Sequence, residues 1–457
     1  MSKKLLLAAA SFAALNISPA LAETSNTELQ DLRAEIAQMQ AAYETKINQL
    51  ENKLETLETR QAETSRKDTV SETQQNSNVN TVRPATSQRR VNDNSFNPEI
   101  GVILQGQYQS FSEDEGDFAG FAIGEEAERG DEGLGLDETE LNFSANVDDL
   151  FRGSTTVALH EHEDELEVEL EEAYIESLAL PYGLQAKAGR FFSELGYLNS
   201  HHAHSDDFAD RPLPNRVFLD SNYNDDGVQL SMVLPTDIYS EIGGGVFRGD
   251  DFPSGGAEGS DIGAWSAYGR VGGDIGDNTS WRLGLSTLQS NDVSREANED
   301  TVTFDGNSDL YVADARAVYA PTGNNTQQEL ILQGEFFVRD EDGQYEDTDA
   351  GTGSVAYDDS QSGWYAQTVY KFHPQWRVGA RYSQLYSADV PAGLVGSALD
   401  DEGHNPWSTS AMVDWTHSEF SRARLQYNYE ELADGQEDNQ IILQYIMSLG
   451  AHGAHAY

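Results

Sequence analysis

Apolar and polar residues alternate with a period of two through most of the chain beyond residue 98. In one such segment, Leu184, Ala186 and Ala188 are separated by polar residues or glycine. This alternation gives a strand one apolar and one polar face. Sixteen segments follow the pattern, most of them close to the length that a tilted strand needs to cross a bilayer: 99–111, 136–147, 154–162, 166–178, 184–192, 226–234, 237–248, 263–275, 279–290, 309–320, 327–338, 362–372, 376–387, 407–417, 421–430 and 438–449.

The connections between these segments are sorted by length. Those after even-numbered strands are short, whereas those after odd-numbered strands are mostly long and acidic: 112–135, 193–225, 249–262, 291–308, 339–361 and 388–406. Short turns at one rim and long loops at the other are typical of bacterial outer-membrane barrels. The predicted fold class is therefore all-β, a 16-stranded antiparallel transmembrane β-barrel over residues 96–457. A soluble β-sandwich is the alternative.

Aromatic residues recur near the predicted strand ends, where rings at a boundary between lipid and water would lie. Packing between neighbouring strands is the other explanation. The residues concerned are Phe143, Tyr174, Tyr239, Phe247, Trp265, Trp281, Tyr319, Trp364, Phe372, Trp376, Trp407 and Trp415.

The connection 193–225 is long and mixes three histidines and several acids with Phe, Leu and Pro. Long loops within a regular fold usually carry function. We predict that this loop folds into the mouth of the barrel and constricts it.

Residues 23–60 have a different, helical periodicity, with apolar residues at steps of three or four from Leu29 to Leu57. The narrow apolar stripe predicts a coiled coil, and we expect self-association, for example as a trimer. An amphipathic helix that packs on another surface is the alternative. Residues 61–95 lack apolar periodicity and are interpreted as a polar linker.

The N-terminus has the pattern of a secretory signal peptide over residues 1–22, with Lys3 and Lys4 before an apolar core and Ala20-Leu21-Ala22 at its end. The chain has no cysteine, which excludes disulfides and thiolate chemistry. Its formal net charge of −51 argues against binding of nucleic acid, whose phosphates would be repelled.

If the apolar faces meet lipid, the alternate residues line the lumen. His160 and His162 then point inward from one strand, and Glu167, Glu169 and Glu171 from the next. Loop 193–225 adds further candidate pore-lining residues, namely His201, His202, His204, Asp206, Asp207 and Asp210.

Basic residues have the inward register on later strands. They are Arg377, Arg381, Arg422 and Arg424, with Arg282, Arg316 and Lys371 on neighbouring strands. An acidic, histidine-bearing wall would thus face a basic ladder, an arrangement that sorts ions at a constriction. Structural ion pairs within the lumen would use the same residues.

Imidazole together with carboxylate suits zinc and other late divalent ions. The candidate metal ligands are His160, His162, His201, His202 and His204. No resident cofactor is expected, only transient contact with zinc or another divalent metal. Solvated polar lining is the alternative role of these histidines.

Motifs of nucleophilic hydrolases, P-loops, dinucleotide sites and HExxH metalloenzymes are not present in the sequence, and we expect no enzyme.

Residues 188–192, AGRFF, continue through SELGYLN into the long loop and on to DDGVQLSMVLP. With the polar helix before the barrel, this pattern resembles outer-membrane porins of the phosphate-selective kind. It resembles more closely their siderophore-porin branch and proteins labelled zinc-regulated outer-membrane receptors. The resemblance covers residues 95–457 and implies a sixteen-stranded barrel, passive or facilitated uptake, and a trimer. The loop departs from phosphate-selective members because it has Arg211 and Arg216 but no lysine.

The sequence therefore predicts a porin of the Gram-negative outer membrane for small solutes, biased toward cations, metal ions or metal chelates of the zinc or iron–siderophore type. Its expected partners are outer-membrane lipid, the solute and other copies of the chain through a periplasmic coiled coil. A non-conducting structural anchor linked to the periplasm is the alternative function.

Overall fold

The computed structural model describes residues 99–113, 118–136, 138–162, 165–255 and 262–450. For residues 161, 162, 165 and 166 it describes the backbone and not the side chains. The predicted signal peptide, coiled coil and linker lie outside the described residues.

The described chain consists almost entirely of β-strands. In chain order these are β1 (Glu99–Ser110), β2 (Gly133–Leu136), β3 (Thr139–Asn146), β4 (Phe151–His162), β5 (Glu165–Ser177), β6 (Leu184–Phe192), β7 (Asn224–Val233), β8 (Tyr239–Phe247), β9 (Ala264–Ile275), β10 (Thr279–Ala297), β11 (Val302–Tyr319), β12 (Glu329–Asp347), β13 (Val355–His373), β14 (Trp376–Tyr386), β15 (Trp407–Ser418), β16 (Ser421–Ala433) and β17 (Gln436–Gly450). A short helix, α1 (Leu213–Leu219), lies in the connection between β6 and β7, and 3₁₀ turns form at Glu125–Ala127, Pro181–Gly183, Leu198–Ser200 and Ala203–Ser205.

The strands form a closed antiparallel barrel. Each strand from β3 onward pairs with its sequence neighbour, and β1 closes the ring by pairing with β17 on one side and with β2 and β3 on the other. Because β2 and β3 pair with successive parts of β1, they form one interrupted barrel strand. The barrel therefore has sixteen strand positions, which confirms the predicted number and order.

The outer face of the barrel wall is apolar and the inner face is polar, which is the reverse of a soluble β-barrel. On β7, Leu230 is 56% exposed, whereas Gln229 and Ser231 on either side are buried. On β17, Leu443 is exposed and Gln444 is buried. Apolar side chains thus point away from the barrel and polar ones into it. No helix in the described part of the chain has the length and apolar character needed to cross a membrane.

Two of the connections predicted as long loops are mostly strand, and that prediction was wrong. The β10–β11 and β12–β13 hairpins extend beyond the barrel, so that 291–308 and 339–361 contain only short turns at 298–301 and 348–354. Asn298, Glu299 and Asp300 turn the first hairpin with positive φ angles. Alternation resumes in the other phase after an irregularity between Ser290 and Val293 and then reaches that turn. Val293 and Ala297 on β10 are buried in an apolar cluster with Phe304 of β11.

Two aromatic residues expected at the lipid boundary point inward instead. Phe247 is buried in the largest apolar cluster of the interior, and Tyr174 packs against that cluster. Both rings contact Phe191, with centroids 5.6 Å and 6.5 Å away. A β-bulge in β5 accounts for Tyr174, since one extra residue reverses which face the following side chains occupy.

Candidate functional site

The connection from residue 193 to residue 223 enters the barrel, and its first part is held by β10 and β12. One carboxylate oxygen of Glu335 accepts hydrogen bonds from the backbone N–H groups of Tyr197 (3.0 Å) and Leu198 (2.9 Å). The backbone N–H of Gly196 donates to Ser286 Oγ at 2.9 Å. We call residues 193–223 the inserted loop.

The middle of the inserted loop lies against the basic residues of β14 and β16. Arg377 pairs with Asp207 at 2.7 Å, and Arg381 pairs with Asp210 at 2.6 Å. Arg424 donates to the backbone carbonyl of Asp206 at 2.7 Å. These guanidinium groups are therefore occupied by the loop.

This differs from the predicted basic ladder across an open lumen. Arg422 also serves the loop, since it donates to the carbonyl of His204 at 2.6 Å. Asp414 of β15 lies between Arg377 and Arg424 and pairs with both. Asp414 is not among the residues predicted from the sequence, although its register across from Arg377 and Arg424 is a signal for it.

The last part of the inserted loop is the helix α1, all of whose residues are buried. Its Phe218 stacks on Phe337 of β12 with 6.0 Å between ring centroids. Arg216 donates from Nε to the carbonyl of Ala127 at 2.8 Å, which ties the helix to the β1–β2 connection. The loop is thus fixed inside the barrel at both ends, by hydrogen bonds at the first and by the packing of α1 at the second.

Next to the inserted loop is a cavity of about 910 Å³ with a strongly acidic lining. Thirteen carboxylates and three guanidinium groups line it, together with the imidazole of His160. The predicted pore-lining residues Glu167, Glu169 and Glu171 belong to this lining, as do Asp206 and Asp210 of the loop. His160 lies 3.4 Å from Glu169.

A bulge in β5 gathers a second group of ionisable side chains at the junction of loop and wall. It places Glu171 and its neighbour Glu172 on the interior side, where both are buried. His202 Nδ1 lies 3.0 Å from Glu171, and its Nε2 lies 3.1 Å from Glu172. Glu140 of β3 lies 3.5 Å from His202 and hydrogen-bonds to His204. We call Glu140, Glu171, Glu172, His202 and His204 the junction cluster.

Three members of this cluster, Glu171, His202 and His204, were predicted from the sequence, whereas Glu140 and Glu172 were not. Glu140 has an inward register beside Asn142 and Ser144, so a signal for it was present. Without a bulge in β5, Glu172 would point outward. The alternation that precedes the bulge gives no sign of it, so the inward position of Glu172 was not predictable.

The other predicted histidines lie elsewhere. The ring of His201 stacks on Tyr197 with centroids 4.5 Å apart, and its Nδ1 hydrogen-bonds to the Tyr197 carbonyl at 2.7 Å. It therefore does not join His202 and His204. The side chain of His162 lies outside the described residues.

The two adjacent loop histidines have opposite electrostatic surroundings. Burial lowers the pKa of His201 to about 4, and the guanidinium of Arg211 acts in the same direction. Burial also disfavours the charged form of His202, but the carboxylates of Glu171 and Glu140 outweigh it and hold the pKa of His202 well above its usual value. The sequence pair His201-His202 is thus one neutral and one cationic imidazole at neutral pH.

The inserted loop also contains acids with raised pKa values. Burial raises the pKa of Asp206 to about 6, although Arg211 opposes the shift. Burial together with the neighbouring charge of Glu126 raises the pKa of Asp220, at the end of α1, to about 8.

Comparison with known proteins finds one similar curated sequence and several similar structures. A protein of Aquifex aeolicus (strain VF5), described only as uncharacterized, is 30% identical over 346 residues, which cover 71% of this chain and 70% of that protein. No protein-family model matches the chain.

Among solved structures, the outer membrane channel DcaP of Acinetobacter baumannii is similar, with a TM-score of 0.50 and 12% identity over 77% of this chain and 97% of that one. An anion-selective porin from Comamonas acidovorans has a TM-score of 0.49 and 11% identity over 77% of this chain and 99% of that one. At such low identity the likeness to DcaP concerns the fold, which is porin-like. Membership of the phosphate-selective or siderophore branch stays a prediction.

Proposed function

The chain belongs to the same family as the Aquifex aeolicus protein. From its porin-like barrel and acidic interior, we propose that it is an outer-membrane channel. It would allow passive passage of small hydrophilic solutes, with a bias toward cations. The exposed apolar face of the barrel wall supports a location in lipid. The polar inner face supports an aqueous path. A channel, rather than an enzyme, accounts for both.

The acidic cavity beside the inserted loop carries the proposal. Its thirteen carboxyl groups, of which Asp220 is largely protonated at neutral pH, face only three guanidinium groups among the described lining residues. Each of these three pairs with an acid: Arg129 with Asp438, Arg211 with Asp206 and Arg216 with Glu430. A sphere of that volume has a radius of about 6 Å, shorter than the Debye length of about 8 Å at physiological ionic strength. Salt therefore screens the field inside the cavity poorly, and cations accumulate there while anions are repelled.

The alternative function, a non-conducting structural anchor, has one specific observation in its favour. The interior contains a large apolar cluster, to which the β1–β2 connection contributes Phe118 and Phe121 and α1 contributes Phe218. This cluster fills part of the cross-section of the barrel. We propose that the apolar cluster confines the solute path to the acidic side of the lumen and leaves that side open.

Conductance in planar bilayers tests the proposal against the anchor. We expect single-channel steps and a reversal potential of cation-selective sign under a potassium chloride gradient. The variant Glu167→Gln/Glu169→Gln, in the cavity lining, should shift the reversal potential toward zero. The matched variant Asp358→Asn/Asp359→Asn loses the same charge on the exposed part of β13 and should leave it unchanged.

Absence of steps from folded protein would instead support the anchor, and an anion-selective sign would contradict the cation bias. The periplasmic coiled coil, the trimer and a preference for metal chelates of the siderophore type remain predictions.

A further inference from the structure

We propose that the junction cluster is a binding site for one late first-row divalent cation such as Zn²⁺, with His202, Glu140 and Glu171 as ligands and Glu172 and His204 as positioning residues. This inference rests on the proposed function, because the cluster adjoins the proposed cation path through Glu171, which lines the acidic cavity. It joins three separate parts of the chain, namely β3, the bulge of β5 and the inserted loop.

The spacing of the donor atoms fits such an ion. The ligand atoms of Glu140, Glu171 and His202 all lie within 4.8 Å of one another. His202 Nδ1 is 3.0 Å from Glu171 Oε2 and 3.5 Å from Glu140 Oε2. Zinc–nitrogen and zinc–oxygen bonds of about 2.0–2.2 Å at tetrahedral angles separate ligand atoms by about 3.3–3.6 Å. Small shifts therefore suffice to admit the ion.

The surrounding hydrogen bonds orient the ligands. When a metal ion replaces the proton on Nδ1, His202 keeps its proton on Nε2, donates to Glu172 at 3.1 Å and directs the lone pair of Nδ1 toward Glu140 and Glu171. A histidine ligand that donates its other N–H to a carboxylate is the usual arrangement at metal sites. His204 donates to the second oxygen of Glu140 and stacks on His202, with ring centroids 5.7 Å apart.

The charge balance favours a dication. Three buried carboxylates, Glu140, Glu171 and Glu172, lie together, and Lys187 is 3.6 Å from the last of them. With Lys187 charged, His204 neutral and the Nδ1 proton of His202 released when the metal binds, the group has two excess negative charges. One divalent cation neutralises them at a single point, and the mixture of imidazole and carboxylate favours zinc over magnesium or calcium.

Equilibrium dialysis of the folded full chain in detergent against zinc chloride tests the site, with millimolar magnesium present to occupy diffuse acidic positions. We expect one zinc ion bound more tightly than the rest. His202→Gln and Glu171→Gln should each weaken that site by more than tenfold. Glu172→Gln should weaken zinc binding about 10- to 100-fold, as loss of a carboxylate that orients a histidine ligand does.

Two controls keep the result interpretable. His404→Gln removes the histidine of a second, more exposed group, His404, Glu431 and Asp434, and should leave the tight site unchanged. Zinc X-ray absorption on the unaltered chain should give nitrogen and oxygen neighbours with one imidazole, and it does not depend on how the variants fold.

The inference is overturned if no zinc ion binds more tightly than the diffuse fraction, if His404→Gln rather than His202→Gln removes the site, or if two or more imidazoles surround the metal. Reversal potentials separate this failure from failure of the proposed function. Cation selectivity without tight zinc binding rejects the site alone, whereas tight zinc binding in a barrel without cation selectivity rejects the proposed function.

Discussion

Gly196 lies directly against the carboxylate of Glu335. A Cβ atom at position 196 would be 2.3 Å from Glu335 Oε2, and Gly196 has a φ of +66°. The same carboxylate accepts the backbone N–H groups of Tyr197 and Leu198, so the close approach and the anchoring of the inserted loop depend on each other.

Gly196→Ala should therefore loosen the inserted loop. Alanine is strained in the left-handed backbone conformation, and its Cβ also displaces Glu335 from its loop partners. Together these effects should lower the free energy of unfolding by at least about 1 kcal/mol. We expect larger or more variable single-channel conductance, measured in planar bilayers, and a lower unfolding midpoint.

Gly351→Ala is the matched control for that prediction. Gly351 has nearly the same φ, +67°, but a Cβ there would meet no atom within 4 Å. It should reproduce the backbone cost without the change in conductance. Equal conductance changes in both variants would show that Glu335 does not hold the loop.

The ion pair between Asp210 and Arg381 should stabilise the middle of the inserted loop. Arg381 donates to the carboxylate of Asp210 at 2.6 Å and to its backbone carbonyl at 2.7 Å. Arg381→Met should cost about 1.5–3 kcal/mol of unfolding free energy, the range for hydrogen bonds to charged groups. Urea unfolding followed by tryptophan fluorescence measures it.

Arg248→Met serves as the comparison for Arg381→Met. Arg248 pairs with Asp250 at a similar 2.6 Å, but its side chain is largely exposed. Exposed pairs contribute about 0–1 kcal/mol. If the two variants lose similar unfolding free energy, the buried Arg381–Asp210 pair contributes no more to stability than an exposed pair does.

Asp220 should make the stability of the barrel depend on pH. Burial and the charge of Glu126 raise its pKa to about 8, against about 3.9 in an unfolded chain. Between these values the folded state keeps a proton that the unfolded state has lost. The stabilising contribution is therefore complete below the unfolded pKa and is lost as the pH rises through the folded one.

Asp220→Asn should remove this dependence. Asparagine tolerates the left-handed conformation of Asp220, whose φ is 49°, and carries no charge. We expect the variant to lose less stability between pH 5 and pH 8 than the unaltered chain, by at least about 1.4 kcal/mol. Unfolding free energies from urea titrations at the two pH values measure this difference. If the variant and the unaltered chain lose the same unfolding free energy between pH 5 and pH 8, the assignment to Asp220 is contradicted.

The fold was largely predictable because lipid and water impose opposite requirements on alternate residues. The same alternation placed Glu167 and Glu169 in the cavity lining. The prediction was wrong at 291–308 and 339–361, where many acids concealed the alternation that continues through Val293, Ala297 and Phe304.

The junction cluster was less predictable, for a physical reason. Alternation assigns a face to each residue but not a partner, so the approach of Glu140 to His202 could not be foreseen. The bulge at Glu171 and Glu172 puts two consecutive side chains on one face, which a period of two does not allow. Likewise, the sequence predicted that the loop enters the barrel, but not that Asp207 of the loop pairs with Arg377.

Leu285 tests whether lipid covers the outer wall. It lies near the middle of the barrel part of β10 and is 69% exposed. Arginine at the midplane of a membrane barrel costs about 2–4 kcal/mol, whereas in water Leu285→Arg would be nearly neutral. Refolding equilibria in lipid vesicles measure the cost, with Gln327→Arg in the exposed turn 320–328 as the control. A cost at Leu285 no greater than at Gln327 would mean that this face meets water, and the outer-membrane location would be rejected.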